Sequence, residues 1–119
     1  IRRGMFEVTG RKSQSDYYDR RDDILAYDRQ AGLLRGSERG DYIRKNRPYL
    51  LMNRTMESTD KRLRNINKQL RAVGDMILSS SSIEQTIKLE ERQKSLEDMK
   101  QSAYDRFNKR FNEKVGRTK

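Results

Sequence analysis

With 119 residues, of which 32% are hydrophobic and 39% charged, the chain is long enough for one domain but too poor in apolar surface for a thick globular core. It has no cysteine and no histidine, which excludes disulfides and thiolate metal sites and removes the commonest general base and metal ligand. The formal net charge is +10, yet eight of those ten excess charges sit in residues 1–14 and 106–119, and residues 15–105 are of mixed sign.

Such a composition suits long helices with narrow apolar stripes that finish their burial against a partner. The chain begins at Ile1 and is read as an excerpt from a longer polypeptide. Its longest apolar run, Tyr49 to Met52, is four residues, far short of a membrane span, and no secretory or transit segment is visible in it.

Residues 1–14 show no apolar periodicity and read as a flexible basic lead-in, with Met5, Phe6 and Val8 as a short docking segment. Residues 15–47 then form two shorter helices and a joint. The first starts at Ser15, with Asp16 and Asp19 favouring the positive helix end. Tyr17, Ile24, Tyr27, Ala31 and Leu34 fall on one face, and Arg35-Gly36 is a stop signal. The second spans Ser37 or Gly40 to Lys45, contributing Tyr42 and Ile43, with Gly40 letting the chain re-enter a helix.

Residues 48–116 are predicted to be a long helical hairpin with its turn at 79–82. Pro48 lacks an N–H and has a fixed φ, so it fits the first turn of a helix and disfavours helix at Arg47. Tyr49, Met52, Met56, Thr59, Leu63, Ile66, Leu70, Val73 and Ile77 then alternate strictly by three and four, and eight of the nine are apolar. That repeat keeps one seam facing a neighbouring helix. Complementary charges are few beside the seam, which favours packing within a hairpin over a free parallel zipper. Gly74 marks either close helix approach or an early helix end. Leu50 and Leu51 lie off the seam and offer a second contact.

Ser82 with Gln85 matches a capping box after the four-serine break, and so short a connection makes the two long helices antiparallel. The serines are read as a turn in preference to a phosphorylation site. The last helix carries Leu89, Leu96, Met99, Ala103, Phe107 and Phe111 at helical spacing, ends at Gly116, and leaves residues 117–119 as a basic tail. The expected fold is all-α: a long, coiled-coil-like antiparallel hairpin preceded by two shorter helices.

The candidate chemistry is thin. Carboxylate pairs such as Asp22-Asp23, Glu90-Glu91 and Glu97-Asp98 are adjacent, so on a helix they diverge and no catalytic role is assigned. No metal or cofactor ligands are assigned, and no small-molecule substrate is implied. The RGD at Arg39 to Asp41 leads straight into helix, and GSERG lacks the Lys and the preceding strand of a phosphate loop. At the C-terminus Arg106, Lys109, Arg110, Lys114, Arg117 and Lys119 interleave with Phe107 and Phe111. They suit contact with a nucleic-acid backbone or anionic lipid, or simply an amphipathic helix end.

The order of elements carries a resemblance. A Tyr- and Arg-rich helix ends at LLRG, a short GDYIRKN helix follows, and RPYLLMNRTMESTDKRLRNINKQLRAV opens the first arm of a charged hairpin. Over about residues 16–112 this resembles the C-terminal region of the large internal virion proteins, or ejection proteins, of short-tailed bacteriophages of the Autographivirales type. The resemblance implies a virion core beneath the portal, and after ejection a conduit for DNA through the host periplasm and inner membrane. The largest such proteins often carry a transglycosylase domain elsewhere. This region would be a non-enzymatic module docking on a second, tube-forming ejection protein, in several homo-oligomeric copies around it. It carries no residue-level motif with it. Periodicity alone assigns Tyr42, Tyr49, Leu50, Leu51, Met52, Met56, Leu63, Ile66, Leu70, Val73, Ile77, Leu89, Leu96 and Met99 to helix packing or the partner. Tyr42, Tyr49 and Leu50 are expected to face that partner. The alternatives are a basic nucleic-acid-binding or packaging protein, and a coiled-coil adaptor or secretion-type chaperone.

Overall fold

The computed structural model describes the backbone of residues 2–115 and the side chains of residues 12–115. Four helices follow one another: α1 (Arg2–Leu33), α2 (Gly36–Lys45), α3 (Arg47–Ser79) and α4 (Ile83–Lys114). The described residues contain no strand.

The heptad stripe folds as its spacing dictates. Met52, Met56, Leu63, Ile66 and Val73 are buried along α3, and Tyr49, Thr59, Leu70 and Ile77 are half-buried. Opposite them α4 buries Leu96, Ala103 and Phe107 and half-buries Leu89, so the two arms form the predicted antiparallel hairpin. The turn is Ser80 to Ser82, stitched by its own hydroxyls. Ser82 Oγ accepts from the Gln85 backbone N–H at 3.3 Å, and the Thr86 hydroxyl donates to Ser80 Oγ at 2.8 Å.

α1 departs from the expectation. It is a 32-residue helix beginning at Arg2, not a helix from Ser15 after a flexible lead-in. Ser13 cannot serve a disordered segment, because it is buried against α4: its hydroxyl donates to Asp105 at 2.6 Å and its carbonyl accepts from the Asn108 amide at 2.9 Å. Met5, Phe6 and Val8 lie outside the residues whose side chains are described. The predicted α1 stripe holds: Tyr17, Ile24 and Ala31 are buried and Tyr27 and Leu34 half-buried. This stripe packs on both arms, so the base of the hairpin is a three-helix bundle.

The joint is tighter than predicted. Gly36 takes φ +64°, the left-handed region that favours glycine, at the start of α2. Gly40 lies inside that helix and punctuates nothing. One residue, Asn46, separates α2 from α3. Its amide side chain donates to the Tyr42 carbonyl at 3.1 Å and its own carbonyl accepts from Leu50 at 3.2 Å, so it closes one helix and opens the next. Pro48 occupies the first turn of α3 as expected. Gly74 neither ends α3 nor marks a close approach, since a side chain there would meet nothing within 4 Å.

Eight aromatic rings join the four helices in one connected series. Tyr42 meets Tyr27 (6.3 Å between centroids), Tyr27 stacks on Tyr49 (4.2 Å), and Tyr49 meets Phe111 edge-on (5.9 Å). Phe111 leads to Phe107, then to Tyr17, and Tyr17 touches both Tyr18 and Tyr104. Tyr42 and Tyr49, expected to face a partner, are tied into the bundle by these rings and are left half-buried. Phe107→Ala should cost about 3–5 kcal/mol of stability, whereas Leu51→Ser, at an exposed position, should change it by about 0.5 kcal/mol or less. Urea denaturation of the two variants checks the contrast.

Candidate interaction surfaces

The predicted contact residues divide into those the bundle consumes and those it leaves outside. Met52, Met56, Leu63, Ile66, Val73 and Leu96 are buried, and Tyr42, Tyr49, Leu50, Leu70, Ile77 and Leu89 half-buried. Leu51 and Met99 are not in the core: they are 62% and 50% exposed. Met99 is displaced because α1 packs on one side of α4 and draws the buried face that way. The residues that go inside are Tyr104, Asn108, Phe111 and Val115, a second stripe spaced by four, three and four. Tyr104, Asn108 and Val115 were not singled out in advance, although that spacing was readable.

A polar cluster at the α1–α3 contact was also missed. Asp60 on α3 accepts from the Tyr17 hydroxyl and from Arg21 Nε at 2.8 Å, pinning α1 to the hairpin. Burial, and then the hydrogen bond to the Asp60 carboxylate, push the Tyr17 phenol well above its ordinary pKa. Burial does the same to Tyr104. The hydrogen bond to Asp60 raises the Arg21 guanidinium in turn.

Two grooves flank α4, and their charges differ. On the α1 side, a groove of about 620 Å³ mixes the cations Arg20 and Lys109 with Asp16, Asp105 and Glu113. On the opposite side, between α3 and α4, a groove of about 430 Å³ is lined by Arg54 and Arg62 from α3, Arg106 and Arg110 from α4, and the hydroxyl-bearing Thr55, Ser58 and Thr59. Its floor is Ala103 and Phe107, both buried. No carboxylate lines it. Of the six predicted C-terminal cations, the fold thus places Arg106 and Arg110 in this groove and Lys109 in the other. Lys114 is exposed at the end of α4, and Arg117 and Lys119 lie outside the described residues.

The third surface is the hairpin tip. Leu78 is 87% and Ile83 81% exposed, and Met76 and Ile87 are about half exposed close by. Ile83 and Ile87 line one shallow groove with the turn serines. Among the described residues, no three His, Cys, Asp or Glu side chains gather as a metal site would require, and no helix is long and apolar enough to cross a membrane. The RGD tripeptide lies within α2, where Asp41 pairs with Arg44.

Comparison with protein-family models, with curated proteins and with solved structures gives no match to this chain.

The raised tyrosines have a measurable consequence. Above about pH 10 an unfolded tyrosine loses its proton, while folded Tyr17 and Tyr104 keep theirs, so unfolding releases protons. Stability should be complete below about pH 10 and fall above it by about 1.4 kcal/mol per pH unit for each of the two. In urea titrations between about pH 9 and about pH 11, Tyr17→Phe should show a visibly shallower decline than the parent chain.

Proposed function

We propose that this chain is a non-enzymatic assembly module of a phage ejection protein, docking on a tube-forming ejection protein in several copies to build a conduit for viral DNA. The observation that carries the reading is the hairpin tip. A chain with 32% hydrophobic residues leaves Leu78 and Ile83 almost wholly in water, at the far end of a rod 65 Å long. Solvated tips are normally polar, and clustered exposed apolar side chains mark interaction sites. The order of elements, with its short helix and Pro-initiated hairpin, supports the phage assignment through resemblance. In this reading the module resides in the virion core beneath the portal and passes to the host periplasm and inner membrane on ejection. The C-terminal cations contact the passing DNA or lipid headgroups there. Where the parent protein carries a peptidoglycan-cleaving domain, it would lie in another part of that chain.

The alternative, a basic nucleic-acid-binding or packaging protein, is favoured by one observation, the carboxylate-free arginine groove.

Co-expression with the other internal virion proteins of the same phage tests the assembly reading. The chain should co-purify with one of them, and Leu78→Ser with Ile83→Ser should reduce recovery at least tenfold while leaving the melting temperature unchanged. Failure to co-purify with any of them, or full recovery with the double variant, would overturn it.

A further inference from the structure

We infer that the groove between α3 and α4 is a phosphodiester-binding site, and that its ligand is the backbone of a nucleic acid. It deepens the DNA contact proposed above for the C-terminal cations, and it depends on neither the hairpin tip nor the partner docked there.

Four arginines from two helices converge on this groove. Among the described residues Arg54, Arg62, Arg106 and Arg110 have no ion-pair or hydrogen-bond partner, while Arg21 and Arg44 have each found a carboxylate. The same helices carry carboxylates, and those near the bundle base lie elsewhere. Asp105 and Glu113 line the opposite groove, and Asp60 faces α1. Four like charges in one trough repel one another, an arrangement that an anionic ligand relieves.

Spacing points to a polymer of phosphates. Arg54 and Arg62 are two turns apart on α3, about 12 Å along its axis, and Arg106 and Arg110 one turn apart on α4, about 6 Å. One small anion cannot meet all four, whereas a strand carrying a phosphate every ~3.4 Å along a duplex axis can. Guanidinium forks match phosphate oxygens, and the Ser58 hydroxyl lies among them as a further donor. Recognition would stop at the backbone. Phe107 is the groove's aromatic residue and is only 2% exposed beneath it, so no ring is free to stack on a base. A flat anionic membrane fits less well, because the groove is concave and the apolar residues that line it are buried at its floor.

Fluorescence anisotropy with a labelled mixed-sequence DNA duplex, titrated with the chain across a salt series, tests this. The probe should bind with an affinity that falls steeply with salt. Arg54→Gln, Arg62→Gln, Arg106→Gln and Arg110→Gln together should make the log–log salt slope shallower by about 3.6, as loss of four phosphate contacts requires. Gln keeps helix propensity at these surface positions, and circular dichroism of the variant checks that it folds. A charge-matched control, Arg71→Gln, Lys88→Gln, Lys94→Gln and Lys100→Gln, removes as many cations away from the groove. It should stay within about threefold of the parent chain. Equal loss in both variants would assign DNA binding to net charge and overturn the site, as would absence of salt-dependent binding by the parent. Vesicles of anionic phospholipid form the second arm. Binding to vesicles that the groove variant loses, with DNA binding unaltered, would overturn the nucleic-acid assignment in favour of lipid.

Discussion

The structure depends on a connected series of aromatic rings that locks α1 onto the base of the hairpin. Each ring pair contributes about 0.5–1.5 kcal/mol beyond its buried area, and the series runs through all four helices. Without it the hairpin would be two narrow stripes facing each other. With it, α1 fills one side of the α3–α4 cleft and fixes the third direction of the bundle. Asp60 reinforces the same contact from α3. This half-buried carboxylate draws both of its side-chain donors, Tyr17 and Arg21, from α1.

Placing α1 also decides where the charges go. Once α1 covers one flank of α4, Asn108 and Asp105 turn toward Ser13, and Arg106 and Arg110 are carried round to the other flank. Across the cleft they meet Arg54 and Arg62, both exposed. A chain whose central portion is nearly balanced in sign thus acquires one flank of mixed charge and one purely cationic trough. The segregation follows from three-helix geometry rather than from any basic run in the sequence.

Much of this was legible in the residues because helical burial is periodic. The α3 seam, the α1 stripe, the antiparallel hairpin and the Ser82 cap all follow from spacing and capping chemistry alone. The length of α1 was not legible, since Gly4, Gly10 and Thr9 argue locally against helix, while the Ser13–Asn108 contact is set by tertiary packing. The arginine groove was half visible: Arg106 and Arg110 were marked as cations of a tail. Their partners Arg54 and Arg62 looked like ordinary solvated positions on a mixed-sign helix. Only the interhelical register brings the four together. The ring contacts of Tyr42 and Tyr49 with Tyr27 were not legible, because a single sequence does not show which element an aromatic packs against.

The tip and the groove lie far enough apart to act separately. Arg62 and Ser79 lie seventeen positions apart on one continuous helix, about 25 Å. No residue lines both the groove and the turn, and sites at such distances contribute additively. The distal arm is held by the smaller core of Ile66, Val73 and Leu96, while the larger core, with its aromatic rings, supports the groove. Local opening should therefore be easier toward the tip than at the base, since buried apolar contact sets the free energy of sub-global unfolding. A partner seated on Leu78 and Ile83 would order the less stable end of the rod. The arginines at its rigid base would remain aligned for an anion whether or not the tip is engaged.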